Sequence, residues 1–148
     1  MGLRIFSPLL IALALAAPRA DAADLPVIPL RINGHAIQAE VAHTPQTRSL
    51  GLMQRRFLAE NRGMLFVFRE PGYHAMWMAN TPLPLSVAFL DERGAILNIR
   101  DMKPLSEDRH AAAGAAKYAL EMNAGWFEKR GIAAGAVVKG LTAAPRGE

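Results

Sequence analysis

The sequence predicts a mainly β protein, a small single-domain β-sandwich or barrel with one or two short helices. Three observations carry that prediction. Turn signals recur at short spacing: Asn33-Gly34, Pro71-Gly72, Pro82 with Pro84, and Asp91 with Gly94. The runs between them are short, and their apolar residues either alternate or are continuous, as strands require. The chain is 148 residues long, 51% hydrophobic and 20% charged, which suits one folded domain and not a disordered tail.

The chain opens on an address. Residues 1–22 have the parts of a cleavable export signal: Arg4 at the start, an apolar stretch over residues 5–17 broken by Ser7-Pro8, and small Ala20 and Ala22 flanking Asp21. Cleavage is expected before Ala23, leaving residues 23–148 as the domain, in the periplasm or secreted. The apolar stretch is short of the roughly 20 residues a spanning helix needs, and no later segment could cross, so no stable membrane span is expected after cleavage. Lys and Arg number 17 against 13 Asp and Glu, a net charge of +4 with no dense basic run, so no nucleic-acid partner is expected. There is no cysteine, which excludes disulfides, thiol catalysis and Cys-ligated metal centres.

The elements follow in order. Val27–Ile32 and residues 35–41 flank Asn33-Gly34, a pair suited to a type I′ hairpin turn because both central residues need positive φ. In the second strand Ile37, Ala39 and Val41 face one way, Gln38 and Glu40 the other. Thr44-Pro45 reads as an N-cap followed by proline at the first helical position, so a short helix is expected over residues 45–53 with Leu50 and Met53 inward, weakened by Gly51. Residues 64–68 form the continuous apolar run of a strand covered on both faces. Residues 74–78 are the next strand, ended by the proline pair. Leu85–Leu90 and residues 95–102 make a hairpin about the Asp91 turn. Residues 104–116 are polar and Ala-rich, and are expected to form a mobile loop. In a strand over residues 117–122, Tyr118, Leu120 and Met122 point one way and Glu121 the other. Asn123 is placed to cap a short helix stopped by Gly131, residues 136–141 are a last strand, and residues 142–148 should fray. The expected core is Ile28, Leu30, Ile37, Val41, Leu50, Met53, Met64, Phe66, Phe68, Trp77, Met78, Val87, Phe89, Ile96, Leu120 and Ile132.

Four segments in order resemble a known family. They are Arg48 to Arg55, Gly63 to Phe68, Trp77 to Leu85, and Ala119 to Gly125 followed by Gly131-Ile132. Over residues 27–141 the chain is similar to domain of unknown function 192, also called uncharacterised protein family 0127. The resemblance implies a compact β-sandwich or barrel with short helices, often exported, and no established activity. Three positions depart from the family pattern: Ser86 where an Asp is usual, Met76 for an aromatic, and Ala136 for an acidic residue. Chemistry resting on that Asp would be lost or altered here.

Candidate chemistry has several sources. On a strand, His74, Met76 and Met78 share a face, and imidazole with thioethers selects Cu(I) or Ag(I); the alternative is packing, since Met fills irregular cores. Asn80 and Thr81 beside Trp77 offer an amide, a hydroxyl and an indole, as a sugar site would, or else satisfy their own turn. Arg48, Arg55, Arg56, Arg62 and Arg69 fit an anionic ligand or a solvated face with structural ion pairs. Glu121 is a general acid/base or a partner for Arg48 or Arg55. No HExxH, GxSxG, P-loop, dinucleotide or EF-hand pattern occurs, and no cofactor is expected. The expected function is a binding module for a polar small molecule, glycan or protein partner, its pocket rimmed by Arg48, Arg55, Asn80, Thr81, Glu121 and Asn123. The alternatives are a hydrolase or lyase using Glu121 with Arg48, and soft-metal binding at His74, Met76 and Met78.

Overall fold

The computed structural model describes residues 24–148, so the expected leader and its cleavage point lie outside the described residues. Strand β1 (Val27–Ile32) turns through Asn33 and Gly34, with φ of 47° and 84°, into β2 (His35–Ala42). The two pair antiparallel from Val27↔Glu40 to Ile32↔His35, so the positive-φ dipeptide fixes the register.

Helix α1 (Pro45–Leu50) starts as the sequence requires. The Thr44 hydroxyl accepts from the Thr47 amide at 3.1 Å, and the Thr44 amide donates to the Thr47 hydroxyl at 3.0 Å. It stops at Leu50 and does not run on to Met53, because Gly51 takes φ 48° and ψ −132°, a conformation open to glycine and strained for other residues. The break turns Leu50 outward to 55% exposure, leaves Met53 half-buried, and gives the inward position to Leu52.

The remaining strands are β3 (Arg62–Gly72), β4 (Ala75–Met76), β5 (Leu85–Leu90), β6 (Ile96–Met102), β7 (His110–Ala111), β8 (Ala116–Asn123) and β9 (Val138–Lys139). Among the described residues, seven strands form one sheet in the order β6-β5-β8-β3-β2-β1-β9, and β4 pairs with β7 in a second, two-stranded sheet. The β2–β3 pair is parallel, with α1 in the connection between them; the other pairs are antiparallel. The large sheet curls into a half-barrel. Residues next to β9 bond back to the start of β6: the Ile96 amide donates to the Ala136 carbonyl at 2.8 Å, and the Val138 amide to the Gly94 carbonyl at 2.9 Å.

Both faces of the sheet are covered. Leu30, Ile37, Val41, Leu65, Leu120, Met122, Trp126 and Phe127 fill one side. Leu52, Leu58, Met64, Phe66, Met78, Val87, Phe89 and Ala119 fill the other, beneath α1 and the loops. Central strand β8 feeds both clusters by alternation, and Glu121 points to the Ala119 side.

Four further expectations are corrected. Trp77 is not core: it is 46% exposed, and Trp126, at 2%, is the buried indole. The segment over residues 104–116 is pinned, because β7 pairs with β4, while the Asn98 amide donates to the Ala111 carbonyl at 3.1 Å and accepts from the Ala113 amide at 2.9 Å. Asn123 ends β8 and caps no helix. Its amide donates to the Leu58 carbonyl at 2.9 Å, and the chain passes through a turn into a single 3-10 turn, Glu128–Arg130, closed by Gly131 at φ 63°. The last residues are docked, with the Glu148 amide donating to the His43 carbonyl at 2.9 Å and Gly147 lying against the Phe68 main chain.

Candidate functional site

Glu121 is the buried carboxyl of the sheet. Its register neighbours are Met64 on β3 and Val87 on β5, both apolar. The residue is only 3% exposed, and no cation or hydrogen bond offsets its burial. Desolvation therefore pushes its pKa up to about 8, so the acid is mostly protonated at neutral pH. The expected pairing with Arg48 or Arg55 is not formed. Arg55 makes a two-point ion pair with Glu40 at 2.7 and 2.6 Å. Arg48 donates to the carbonyls of His43 at 2.6 Å and Val67 at 2.9 Å, and to the main-chain oxygen of Glu148 at 2.7 Å.

Above Glu121 lies a cavity of about 30 Å³, enough for a single water-sized group. Its walls are Arg48 to Met53, Phe66, Met76, Trp77 and Thr81. A wider depression of about 310 Å³ shares Arg48, Ser49, Phe66, Met76 and Trp77 with it and adds Pro45, Phe68 and Ala75. Local structure explains why these residues meet. The Gly51 break drops Leu52 toward the sheet, and the Gln54 amide donates to the Asn80 carbonyl at 2.7 Å, tying the segment after α1 to the loop after β4. Asn80 takes φ 54°, a positive value that asparagine tolerates. The buried Thr81 hydroxyl donates to the Ala79 carbonyl at 3.1 Å, so its proton is committed and its oxygen remains an acceptor.

Of the six residues expected to rim a pocket, Arg48, Thr81 and Glu121 line this cavity. Asn80 adjoins through its main chain, and its side chain is exposed. Arg55 and Asn123 lie outside the walls, holding Glu40 and the Leu58 carbonyl. The soft-metal trio does not share this cavity. Met76 is in its wall, Met78 is fully buried in the core, and the His74 ring stacks on Phe68 at 3.7 Å with Nε2 2.9 Å from the Glu70 carbonyl. Strand β4 spans only Ala75–Met76, too short to carry the alternation that would align the three. Among the described residues, no group of three or more His, Cys, Asp or Glu side chains could hold a metal.

Sequence reasoning missed Leu52, Met53, Met76 and Phe66 as walls, although each lies in or beside one of the four segments that carried the family resemblance. It also missed what takes up the space around Ser86. That hydroxyl donates to the Asp101 carboxylate across the β5–β6 pair and accepts from the Gly125 amide at 2.9 Å, at the edge of a second depression that includes Phe127 and Ile132.

Fold and site together define a small β half-barrel domain with one unpaired acid buried beneath a surface depression. The chain belongs to the family of domain of unknown function 192, described as Uncharacterized ACR, whose model matches residues 28–140. It is similar to a crystal structure from Sinorhizobium meliloti described as that of a candidate transcription regulator, at 35% identity and a TM-score of 0.77, over 80% of this chain and 96% of that one. It is also similar to a protein of unknown function from Novosphingobium aromaticivorans, at 30% identity and a TM-score of 0.77, over 90% of this chain and 99% of that one. No curated protein matches the chain. No helix among the described residues is long and apolar enough to cross a membrane.

Proposed function

We propose that the chain is an exported binding module, periplasmic or secreted once residues 1–22 are removed. It takes a polar group of a small molecule, a glycan or a protein partner into the cavity above Glu121, with Trp77 and Arg48 at the rim. The observation that supports this reading is the unpaired buried acid beside a depression whose wall is a half-exposed indole. An isolated buried carboxyl is costly to the fold, and such groups collect at functional sites. A hydrolase or lyase is less well supported. Glu121 has the raised pKa of a general acid, but it is the one carboxylate in the walls of this cavity, and acid–base chemistry at a glycosidic bond uses a pair.

The test is a ¹H–¹⁵N titration of the exported protein with methyl glycosides, alkanols and alkylamines. Saturable shifts centred on Trp77, Arg48 and Glu121, and lost in Trp77→Ala, are expected. Shifts scattered over the surface, or none with any probe, would remove the small-molecule form of the proposal. Fractionation of the cells tests the location: chain starting at Ala23 in the exported fraction is expected, and uncleaved chain in the cytosol overturns it.

A further inference from the structure

We infer that the group received above Glu121 is a primary alkylammonium, held by the Glu121 carboxylate and the Thr81 hydroxyl oxygen, with its alkyl stem between Phe66, Met76 and Trp77. This rests on the binding-module reading and goes further by naming the ligand's chemistry.

Glu121 has no donor to satisfy it when ionised, and the Thr81 proton is already given to the Ala79 carbonyl. With Glu121 ionised, two acceptor groups line one cavity of about 30 Å³, and what complements them is a compact group that only donates. An ammonium has three N–H donors, no acceptor, and the size of a water molecule. A neutral hydroxyl would leave the acid in its protonated form, whereas a cation draws out the carboxylate and pairs with it.

The walls agree with a cation. Phe66 offers an aromatic ring, which attracts a cation through its face, and Met53 and Met76 add polarisable thioethers; the Arg109 guanidinium already lies over the Trp77 ring, 5.8 Å from its centroid, so that indole packs against the alkyl stem and not the ammonium. The wider depression outside has room for an alkyl stem against Phe68, Met76 and Trp77. Arg48 is the other charged residue in the walls, and it is directed elsewhere: its donors go to the carbonyls of His43 and Val67 and to the oxygen of Glu148. The neighbours of Glu121 on β3 and β5, Met64 and Val87, do not titrate.

Entry of the cation is coupled to a proton. The resting acid is neutral; as the ammonium arrives, the Glu121 O–H proton leaves to solvent and a carboxylate–ammonium pair remains. One proton is released per ligand bound below pH 8, so affinity should rise about tenfold per pH unit from pH 6 toward 8 and then level off. It falls again only when the amine itself deprotonates.

The experiment compares n-butylamine with n-butanol, its neutral counterpart, and with N-acetyl-lysine amide, read from the Trp77 indole N–H resonance at pH 6, 7 and 8. Butylamine is expected to bind saturably with that pH slope, butanol at least tenfold more weakly, and Glu121→Gln to lose at least tenfold in amine affinity while its unfolding stays cooperative. Tighter binding of the lysine amide assigns the amine to a protein side chain; tighter binding of butylamine assigns it to a free alkylamine. Equal affinity for butanol and butylamine, a flat pH profile, or unchanged binding in Glu121→Gln overturns the inference. Binding of a glycoside or butanol without the amine leaves the binding module standing and removes only the ammonium, whereas silence from every probe removes both.

Discussion

A carboxylic acid at position 121 works against the fold it sits in. Its folded pKa of about 8 lies above the ordinary 4.5, so the native state holds a proton that the unfolded state has lost between those values. Stability from this group is therefore fully present below about pH 4.5 and declines as pH rises toward 8. Glu121→Gln keeps the shape and removes the titration, so the variant should be more stable than the parent by an amount of order 3 kcal/mol at pH 7, shrinking toward zero near pH 4. Urea denaturation at several pH values measures this, and a constant difference across the range would refute it. The alternation of residues 118–122 placed Glu121 opposite Leu120 and Met122 from sequence alone. It could not show that the second face is covered too, since that depends on loops packed from far along the chain. The two tryptophans show the same limit. Both stand in apolar surroundings in the sequence, yet Trp126 is sealed between Phe127 and the Arg130 guanidinium, 4.3 Å from its ring, while Trp77 lies at a rim. Trp126→Ala should cost about 3–5 kcal/mol and Trp77→Ala about 1 kcal/mol or less, as thermal unfolding would show.

At the scale of elements, local chemistry was legible and long-range pairing was not. Asn33-Gly34, Thr44-Pro45 and Asp91 with Gly94 each fixed a turn or cap within a few residues, and each appears where the residues demand it. The two-residue strands β4 and β7 carry too few side chains to show a period, and the parallel β2–β3 pairing leaves no mark in either strand. Position 51 reads both as a helix interior and as a helix end, and only the identity of glycine decided it. The Arg55–Glu40 pair fastens the segment after α1 to β2. Its hydrogen bond from Arg55 holds Glu40 below the ordinary carboxylate range, so its contribution is present above about pH 4.5 and is lost as pH falls through the folded value. This is opposite in sign to Glu121. Glu40→Gln should therefore lose roughly 1 kcal/mol at pH 7, with the difference vanishing once the pH has fallen below the folded value. Parallel pH series for the two variants would separate the effects, and a Glu40 difference that persists into acid would show that packing, not charge, was removed.

On the scale of the whole molecule, the cavity is where segments far apart in sequence agree. α1, β3, the β4 loop and β8 each give it a wall, and Arg48 links that wall to the end of the chain. The last residues were expected to fray, because a short polar tail shows no periodicity by which to judge it. They are held by Gly147, whose missing side chain lets it lie against the Phe68 main chain, and by the Glu148 amide, which donates to the His43 carbonyl. The tail thus acts as a strap over the Arg48 side of the site. Deleting residues 145–148 removes the Glu148 acceptor from Arg48, in an exposed hydrogen bond, and the donor from the His43 carbonyl. The expected loss is about 1–2 kcal/mol, with faster amide exchange confined to α1 and the adjoining end of β3. Since Arg48 would then be freer to swing toward Glu121, the deletion should also lower the Glu121 pKa, visible as an earlier carboxyl titration by ¹³C NMR. A deletion that lowers stability without moving that titration would show that the tail braces the fold and leaves the site alone.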